Sequence, residues 1–245
     1  LLLPLASDPV EFARYGAVLA VTQLPADRAL PVLISRLGDE REKVAVAAVI
    51  AVATYPGDWA LESLVRWLAH PNETVRSAVL EALVIRDEKH ISKVIEQNYA
   101  RPPRDTGPGP YVTAMGRFPT RQTLKLLVAA LDKEAVALDA IRGLVFYGDK
   151  ATKSVAKWLK KNADKSPAVA AGAIAALVGY GKKGDRALRR LLPKISYTLK
   201  EQAVEAMLSG TSRPEKVLAY LQRHPDTELK RLGIIRVPEY PSAEP

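Results

Sequence analysis

The sequence predicts an all-α protein, an α-solenoid of about seven stacked helix pairs. Three observations lead to this prediction. Apolar residues recur at helical spacing, the apolar segments end at breaks that often contain proline or glycine, and the same two-segment unit returns along almost the whole chain. A single helix pair of this size cannot bury its apolar faces alone, so the copies must stack on one another.

Residues 44–73 show the unit most clearly. Alanine alternates with valine and isoleucine from Val44 to Thr54, and the alanine content and the length favour a buried helix over a strand. Residues 55–57, Tyr-Pro-Gly, end this helix because proline and glycine are costly in a helix interior. A second, amphipathic helix is predicted after the break. We expect Asp58 to be its N-cap, where a carboxylate accepts hydrogen bonds from free backbone amides.

Copies of this unit return about every 31 residues, since the predicted first helices span 216 residues in seven steps. The predicted starts are Ala13, Val44, Val75, Thr106, Val136, Val169, Leu199 and Leu229. A small residue recurs where two helices approach closely, at Ala17, Ala48, Ala78, Ala140, Ala173 and Ala203. An aspartate recurs where each second helix is expected to be capped, at Asp27, Asp58, Asp87, Asp149 and Asp185, with Thr120 in this place once.

The segment from Asn72 to Leu83 carries the clearest motif: an amide or acidic residue, then Val-Arg, then spaced alanines and Ala-Leu. It resembles the HEAT-like repeat in its short form of about 30 residues, known from phycobilisome lyases. Residues 8–14 and 226–230 are looser copies, and the resemblance covers nearly the whole chain. The motif arginine is replaced by Ala45, Ala137 and Ala170 in other repeats, so an arginine–aspartate ladder is expected to be broken.

The resemblance implies a right-handed superhelix whose second helices line the concave side. It also implies a scaffold or recognition module. HEAT-like folds include two kinds of enzyme, the phycobilin lyases and the alkylpurine DNA glycosylases, but a fold alone does not specify a reaction. A glycosylase would need aromatic and acidic residues in its groove, and no basic stripe lies near Trp59 and Trp67. We therefore rank both enzyme classes below binding.

Composition excludes several kinds of site. The chain has no cysteine, so disulfides, thiolate chemistry and Cys-ligated zinc are excluded. Its longest apolar runs fall short of the roughly 18 residues that a membrane-spanning helix needs. Residues 5–8 align with the end of a second helix, which predicts a fragment of a longer protein and, with it, a cytoplasmic location. A truncated secretory signal at residues 1–6 is the alternative.

We predict one array over residues 1–245, made of two subarrays. The first covers residues 1–100, and the second, more basic one covers residues 112–236. Residues 99–111 contain four prolines and two glycines, and they either link the subarrays or form a loop that helps to bind a partner. Residues 237–245 contain three prolines and are predicted to form an extended tail.

Positive charge is concentrated in the second subarray. The net charge of the chain is +9, but residues 1–100 carry 10 Lys and Arg against 13 Asp and Glu, whereas residues 101–245 carry 26 against 14. Two consecutive second helices each carry four cations within an arc of roughly 80°, and stacking would merge them into one stripe. This stripe comprises Lys150, Lys153, Lys157, Lys161, Lys183, Arg186, Arg190 and Lys194, with Arg121 and Lys125 as an extension on one side and Lys216 and Arg223 on the other.

Three interpretations of this stripe remain open: a solvated face, a surface that binds an acidic protein, and a surface that binds nucleic-acid phosphates. Phosphate contacts need no base-reading side chains. Aromatic residues that could stack on single-stranded bases are few, however, and Trp158 is expected on the core side of its helix. We predict a non-catalytic scaffold whose partner is a protein with an acidic surface, with nucleic acid as the alternative partner.

The sequence contains no recognisable catalytic or metal-binding constellation. His70, His90 and His224 lie at helix ends in different repeats, and none has a second histidine at helical spacing to complete a metal face. The glycines at 107–109 and 181–184 do not follow strands, as those of phosphate-binding loops do. No serine lies in a nucleophile elbow. We expect no metal, no cofactor and no catalysis.

Overall fold

A computed structural model describes residues 2–86, 90–102, 107–211, 213–236 and 239. Over these residues the regular structure is helical and contains no β-strand, so the predicted all-α class is confirmed. The chain divides into two compact units, Leu1–Thr123 and Leu124–Pro245. First and second helices alternate in each unit, as the repeat predicts.

The helices of the first unit are α1 (Leu2–Leu5), α2 (Glu11–Val21), α3 (Ala26–Arg36), α4 (Glu42–Ala53), α5 (Asp58–Trp67), α6 (Glu73–Arg86), α7 (Ile91–Ala100) and α8 (Gly109–Met115). The boundary between the units lies inside α9 (Arg121–Ala130). The predicted division into subarrays at residues 99–111 stays a prediction, as does a single array over the whole chain.

The helices of the second unit are α10 (Ala137–Tyr147), α11 (Thr152–Asn162), α12 (Pro167–Gly179), α13 (Lys182–Leu191), α14 (Tyr197–Ser209), α15 (Pro214–Gln222) and α16 (Thr227–Arg236). Single-turn 3-10 helices occur at Glu134–Val136, Gly148–Ala151, Ala163–Lys165 and Leu192–Lys194. Seven of the predicted first-helix starts lie within two residues of an observed start. The eighth, Thr106, lies outside the described residues.

First helices of neighbouring repeats pack side by side within each unit. In the first unit α2 contacts α4 and α4 contacts α6, and in the second α12 contacts both α10 and α14. Second helices pack against the first helices beside them, so Leu, Ile, Val and Ala side chains are buried between two helical layers. The recurring alanines are buried at positions 17, 48, 140, 173 and 203 and half-buried at position 78. The right-handed twist stays a prediction.

The prediction that aspartates cap the second helices is wrong. Glycine occupies the N-cap before α5 and α13, where Gly57 has φ 96° and Gly181 has φ 61°, and Pro25 occupies it before α3. Glycine reaches this left-handed conformation without steric cost, so the chain turns sharply, and the helix begins at Asp58 in α5 and before Asp185 in α13. Asp27, Asp58 and Asp185 therefore lie inside their helices, Asp149 lies in a 3-10 turn, and Asp87 lies outside the described residues. Thr120 does cap α9, since its hydroxyl accepts a hydrogen bond from the Thr123 amide at 3.0 Å.

Side-chain caps are instead found at first helices. Asn72 Oδ1 accepts from the amide of Thr74 at 2.8 Å, and Asp226 Oδ1 accepts from the amide of Glu228 at 3.0 Å. Ala45, Ala137 and Ala170 are buried at the position where other repeats place a basic residue, and the break in the charged ladder stays a prediction.

The proline- and glycine-rich interruption is shorter than predicted. Helix α7 continues through Tyr99, and α8 begins at Gly109 and includes Tyr111, which is completely buried. Pro110 is tolerated because it lies in the first turn of α8, where a backbone amide has no helical acceptor. Residues 103–106 lie outside the described residues, as does the predicted tail apart from Glu239.

Candidate functional site

A groove of about 770 Å³ lies between α11 and α13 in the second unit. Its lining includes four lysines from the α11 side and four cations from the α13 side. They are Lys150, Lys153, Lys157 and Lys160, and Lys183, Arg186, Arg190 and Lys194. Seven of these eight residues belong to the predicted stripe, so the structure brings most of that stripe together around one groove, which we call the basic groove.

The apolar residues of the two helices determine where the cations lie. On α11, Val155, Trp158 and Leu159 are buried in the core, so the lysines between them are on the exposed side. The Trp158 indole N–H donates to Asp132 Oδ1 at 2.8 Å, which holds the ring on the core side as predicted. On α13, Leu188 and Leu191 are buried in the same way.

Small and apolar residues lie between the two rows of cations. Ala156 of α11 and Ala187 of α13 are half-buried and line the groove, together with the buried side chains of Thr152 and Leu191. The Thr152 hydroxyl donates to the Asp149 carbonyl, so its polar group is satisfied within the turn. These four residues form a floor from which no charged side chain projects.

Among the residues that the structure describes, a single carboxylate lines the basic groove. Asp149 pairs with Lys183 at 2.7 Å, and both side chains are largely exposed, so the pair contributes little to stability. Within the described part of the chain, the other seven cations of the groove form no ion pair within 4.0 Å. The groove therefore presents an excess of positive charge to solvent, and neighbouring fields of one sign add within a concave surface.

Five residues of the predicted stripe and its extensions do not line the groove. Lys216 and Arg223 are exposed on α15 and directly after it. Lys161 and Lys125 are exposed on α11 and α9 of the second unit, and Arg121 is exposed in the first unit. Lys160 was missed by the prediction although it lines the groove. With a rotation of 100° per residue, the Lys160 side chain lies only about 20° outside the arc of the predicted α11 lysines, on the side that faces α13. An arc centred on the neighbouring helix would have included Lys160 in place of Lys161.

A second groove, which the sequence analysis did not identify, lies between α2 and α4 in the first unit. It has a volume of about 1030 Å³ and is lined mainly by apolar side chains, including Tyr15, Leu19 and Ile50. Phe12 is 82% exposed there. The spacing of Phe12, Tyr15 and Leu19 at i, i+3 and i+7 is the signal that could have revealed an apolar face turned to solvent.

Two of the three histidines, His70 and His224, accept hydrogen bonds from backbone amides, whereas His90 Nε2 lies 3.0 Å from Asp58 Oδ1. Nδ1 of His70 accepts from the amide of Asn72, and Nδ1 of His224 accepts from the amide of Asp226, both at 3.0 Å. Burial lowers the pKa of His70, which keeps its ring neutral and able to accept. Among the residues that the structure describes, no three His, Asp or Glu side chains are close enough to hold a metal ion.

None of the helices described in residues 2–236 is long and apolar enough to cross a membrane. The cytoplasmic location stays a prediction.

Comparison with known proteins supports the repeat architecture. The family model for HEAT repeats matches residues 30–106, from within α3 to just beyond α7. An engineered protein, solved as a crystal structure for the Northeast Structural Genomics Consortium, is 17% identical over 99% of this chain and 96% of its own, with a TM-score of 0.29. No curated protein matches the chain. HEAT repeats are generally protein-interaction scaffolds and typically non-catalytic. The alternating first and second helices agree with this family match, and residues 30–106 are similar to HEAT repeats.

Proposed function

We propose that this protein is a non-catalytic interaction scaffold that binds an acidic protein surface through the basic groove. One observation carries the proposal: two rows of exposed cations line the same groove, and the only carboxylate in its lining is already paired. Rigid helices hold these charges at fixed spacing, so a partner meets an ordered surface rather than flexible side chains on a loop.

The arginine and lysine side chains of the basic groove are suited to bind carboxylates. Arg186 and Arg190 each offer a planar fork of N–H donors that matches a carboxylate with two parallel hydrogen bonds. The lysines contribute positive charge that steers an acidic partner toward the groove before contact is made. Hydrogen bonds to the arginines then set the register of the bound partner.

Nucleic-acid binding through phosphates is the second candidate, because phosphates also satisfy a row of lysines without any base contact. We rank it lower since no aromatic residue lines the basic groove to stack on a base. A titration with a generic DNA duplex at increasing salt separates the two candidates. Tight binding with a steep loss of affinity as salt rises favours nucleic acid, and absence of binding at low salt removes it.

The main test is charge reversal within the groove. The partner is first recovered by pull-down with the full chain, and the affinity is then measured at about 0.15 M salt. Changing Lys153, Lys157, Arg186 and Arg190 to Glu is expected to weaken binding at least about 100-fold, because attraction becomes repulsion at four contact points. Unchanged affinity would mean that the stripe is only a solvated face.

A matched control separates the groove from total charge. Lys125, Lys216, Lys230 and Arg231 are exposed and lie outside the basic groove, and changing them to Glu alters the net charge by the same amount. This control is expected to keep the affinity within about threefold at the same salt, since exposed charges beyond a Debye length are largely screened. Circular dichroism should show the same helix content for both variants.

A further inference from the structure

We infer that the occupant of the basic groove is an extended segment of the partner, rich in Asp and Glu, that lies along the floor between the two rows of cations. This inference rests on the proposed function and adds the conformation of the partner. It excludes an acidic helix or a broad folded surface resting on the outer cations.

The small side chains on the floor of the groove are the first observation that supports an extended segment. Ala156 of α11 and Ala187 of α13 both line the groove, with side chains of one carbon each. Long side chains at these two positions would fill the space between the rows. Because the floor is low and uncharged, a backbone can descend between the cations and bury apolar floor surface as it does so.

The spacing between the two helices is the second observation that supports an extended segment. Neighbouring helix axes lie about 8–10 Å apart, whereas an α-helix with its side chains is about 10–12 Å across. A docked helix would therefore rest on the cations and leave the floor uncovered. Helix α11 has 11 residues. At 1.5 Å rise per residue it is roughly 16 Å long, the length of about five residues of extended chain.

The alternation of side chains carries the third step. Successive side chains of an extended segment point to opposite sides. Consecutive acidic residues would thus direct carboxylates in turn toward the lysines of α11 and toward Arg186 and Arg190 of α13. A single helical face directs its charges to one side only, so it cannot satisfy both rows equally.

The experiment compares four labelled probes by fluorescence anisotropy with the full chain. They are an octaglutamate peptide, which self-repulsion keeps extended, its octaglutamine counterpart, an eight-nucleotide oligo-dT, and an alanine-rich helical peptide with glutamates along one face. We expect octaglutamate to bind at least about tenfold more tightly than the helical peptide and than oligo-dT, and octaglutamine not to bind. Equal or tighter binding of oligo-dT overturns the inference.

A second experiment fills the floor of the groove with larger side chains. Ala156→Leu with Ala187→Leu adds bulk between the rows and leaves every cation in place, so octaglutamate affinity is expected to fall at least about tenfold. Ala175→Leu makes one such change on the exposed side of α12, outside the groove, and is expected to leave octaglutamate affinity unchanged. A floor variant that folds and binds octaglutamate normally shows that the ligand touches only the outer cations, and the inference fails. If the floor variant does not fold, the comparison of probes decides alone.

The outcomes distinguish this inference from the proposed function. If the helical peptide binds and octaglutamate does not, the groove still recognises acidic protein, but the extended conformation is wrong. If neither acidic peptide binds and the charge-reversed groove variant keeps its partner, both the proposed function and the inference are wrong.

Discussion

At the scale of single residues, buried polar side chains hold one repeat against the next. The Tyr55 hydroxyl donates to the Leu24 carbonyl at 3.0 Å, and the Tyr180 hydroxyl donates to the Leu144 carbonyl at 2.6 Å. In both cases the acceptor belongs to the preceding repeat. Burial raises the pKa of both tyrosines, so each remains a neutral donor. The Leu24 carbonyl lies beyond the end of α2, where a helical partner is missing, whereas the Leu144 carbonyl also accepts from the Gly148 amide.

The most enclosed ion pair plays the same role in the first unit. Arg14 donates to both carboxylate oxygens of Asp39, at 2.8 and 2.9 Å, and the two residues are 5% and 9% exposed. Arg14 also donates to the Asp8 and Pro9 carbonyls at 3.0 Å. Burial alone would raise the pKa of Asp39, but the hydrogen bonds from Arg14 and from the Arg41 amide outweigh it, and the pKa lies below its ordinary value.

A pH-dependent loss of stability is therefore expected from this pair. A carboxyl group with a lowered folded pKa contributes stability above its unfolded pKa, about 3.9, and loses that contribution as the pH falls through the folded pKa. Asp39→Asn should lower the thermal unfolding midpoint by several degrees at neutral pH, and the difference from the parent protein should shrink below about pH 4. Glu40→Gln is the control, since the Glu40 side chain is 77% exposed and lies 3.5 Å from the same arginine. A difference that is the same at all pH values would contradict this account.

At the scale of elements, a close contact between α12 and α13 helps to position the basic groove. Gly184 is buried in α13, and a Cβ atom there would lie 1.6 Å from the Leu177 carbonyl oxygen of α12. Backbone cannot move aside as a flexible side chain can. The approach of α13 to α12 therefore depends on the absence of a side chain at this position.

Adding one methyl group at Gly184 should separate the two helices. Gly184→Ala is expected to destabilise the protein by about 2 kcal/mol, because overpacking against backbone forces the helix to shift. Gly179→Ala is the matched control: it lies in α12 with open space around its Cα, and it should be neutral or stabilising by up to about 1 kcal/mol. Urea unfolding followed by circular dichroism measures both variants. Equal effects of the two changes would show that the α12–α13 contact adapts easily.

Helix existence and order could be predicted from sequence, whereas of the predicted caps on second helices only Thr120 is observed among the described residues. The period of about 31 residues depends on apolar spacing, which many residues report together. The cap before α5 depends on two adjacent residues, Gly57 and Asp58, and either can begin a helix. A residue pattern does not state which of them takes a positive φ. The same limit applies at Pro110, which suggests a loop in sequence but begins α8 in the structure.

The sequence predicted those features of the candidate site that depend on residue spacing within a single helix. Helical spacing placed the lysines on the side of α11 opposite Val155, and burial of Val155 agrees with this. Whether Lys160 or Lys161 lines the groove depends on the side of α11 on which α13 packs. The spacing of residues within α11 does not show which side that is. The low floor at Ala156 and Ala187 likewise requires both helices in place.

At the scale of the whole molecule, charge is unevenly divided along the chain. Residues 1–100 carry a small negative net charge, and residues 101–245 carry a net +12. A charge imbalance of this kind acts at long range, so it changes the rate at which a charged partner arrives more than the rate at which it leaves. Contacts within the basic groove, by contrast, are short-range and govern dissociation.

Association with the recovered partner should therefore depend steeply on salt. Between about 0.01 M and 0.15 M salt the Debye length falls from about 30 Å to about 8 Å, and the association rate constant is expected to drop at least tenfold while the dissociation rate constant changes little. The control variant with Lys125, Lys216, Lys230 and Arg231 changed to Glu should associate more slowly than the parent protein at low salt and dissociate at the parent rate. Stopped-flow fluorescence measures both constants. If salt changes mainly dissociation, the charge of the second part of the chain acts only through direct contact, and long-range steering plays no part in recognition.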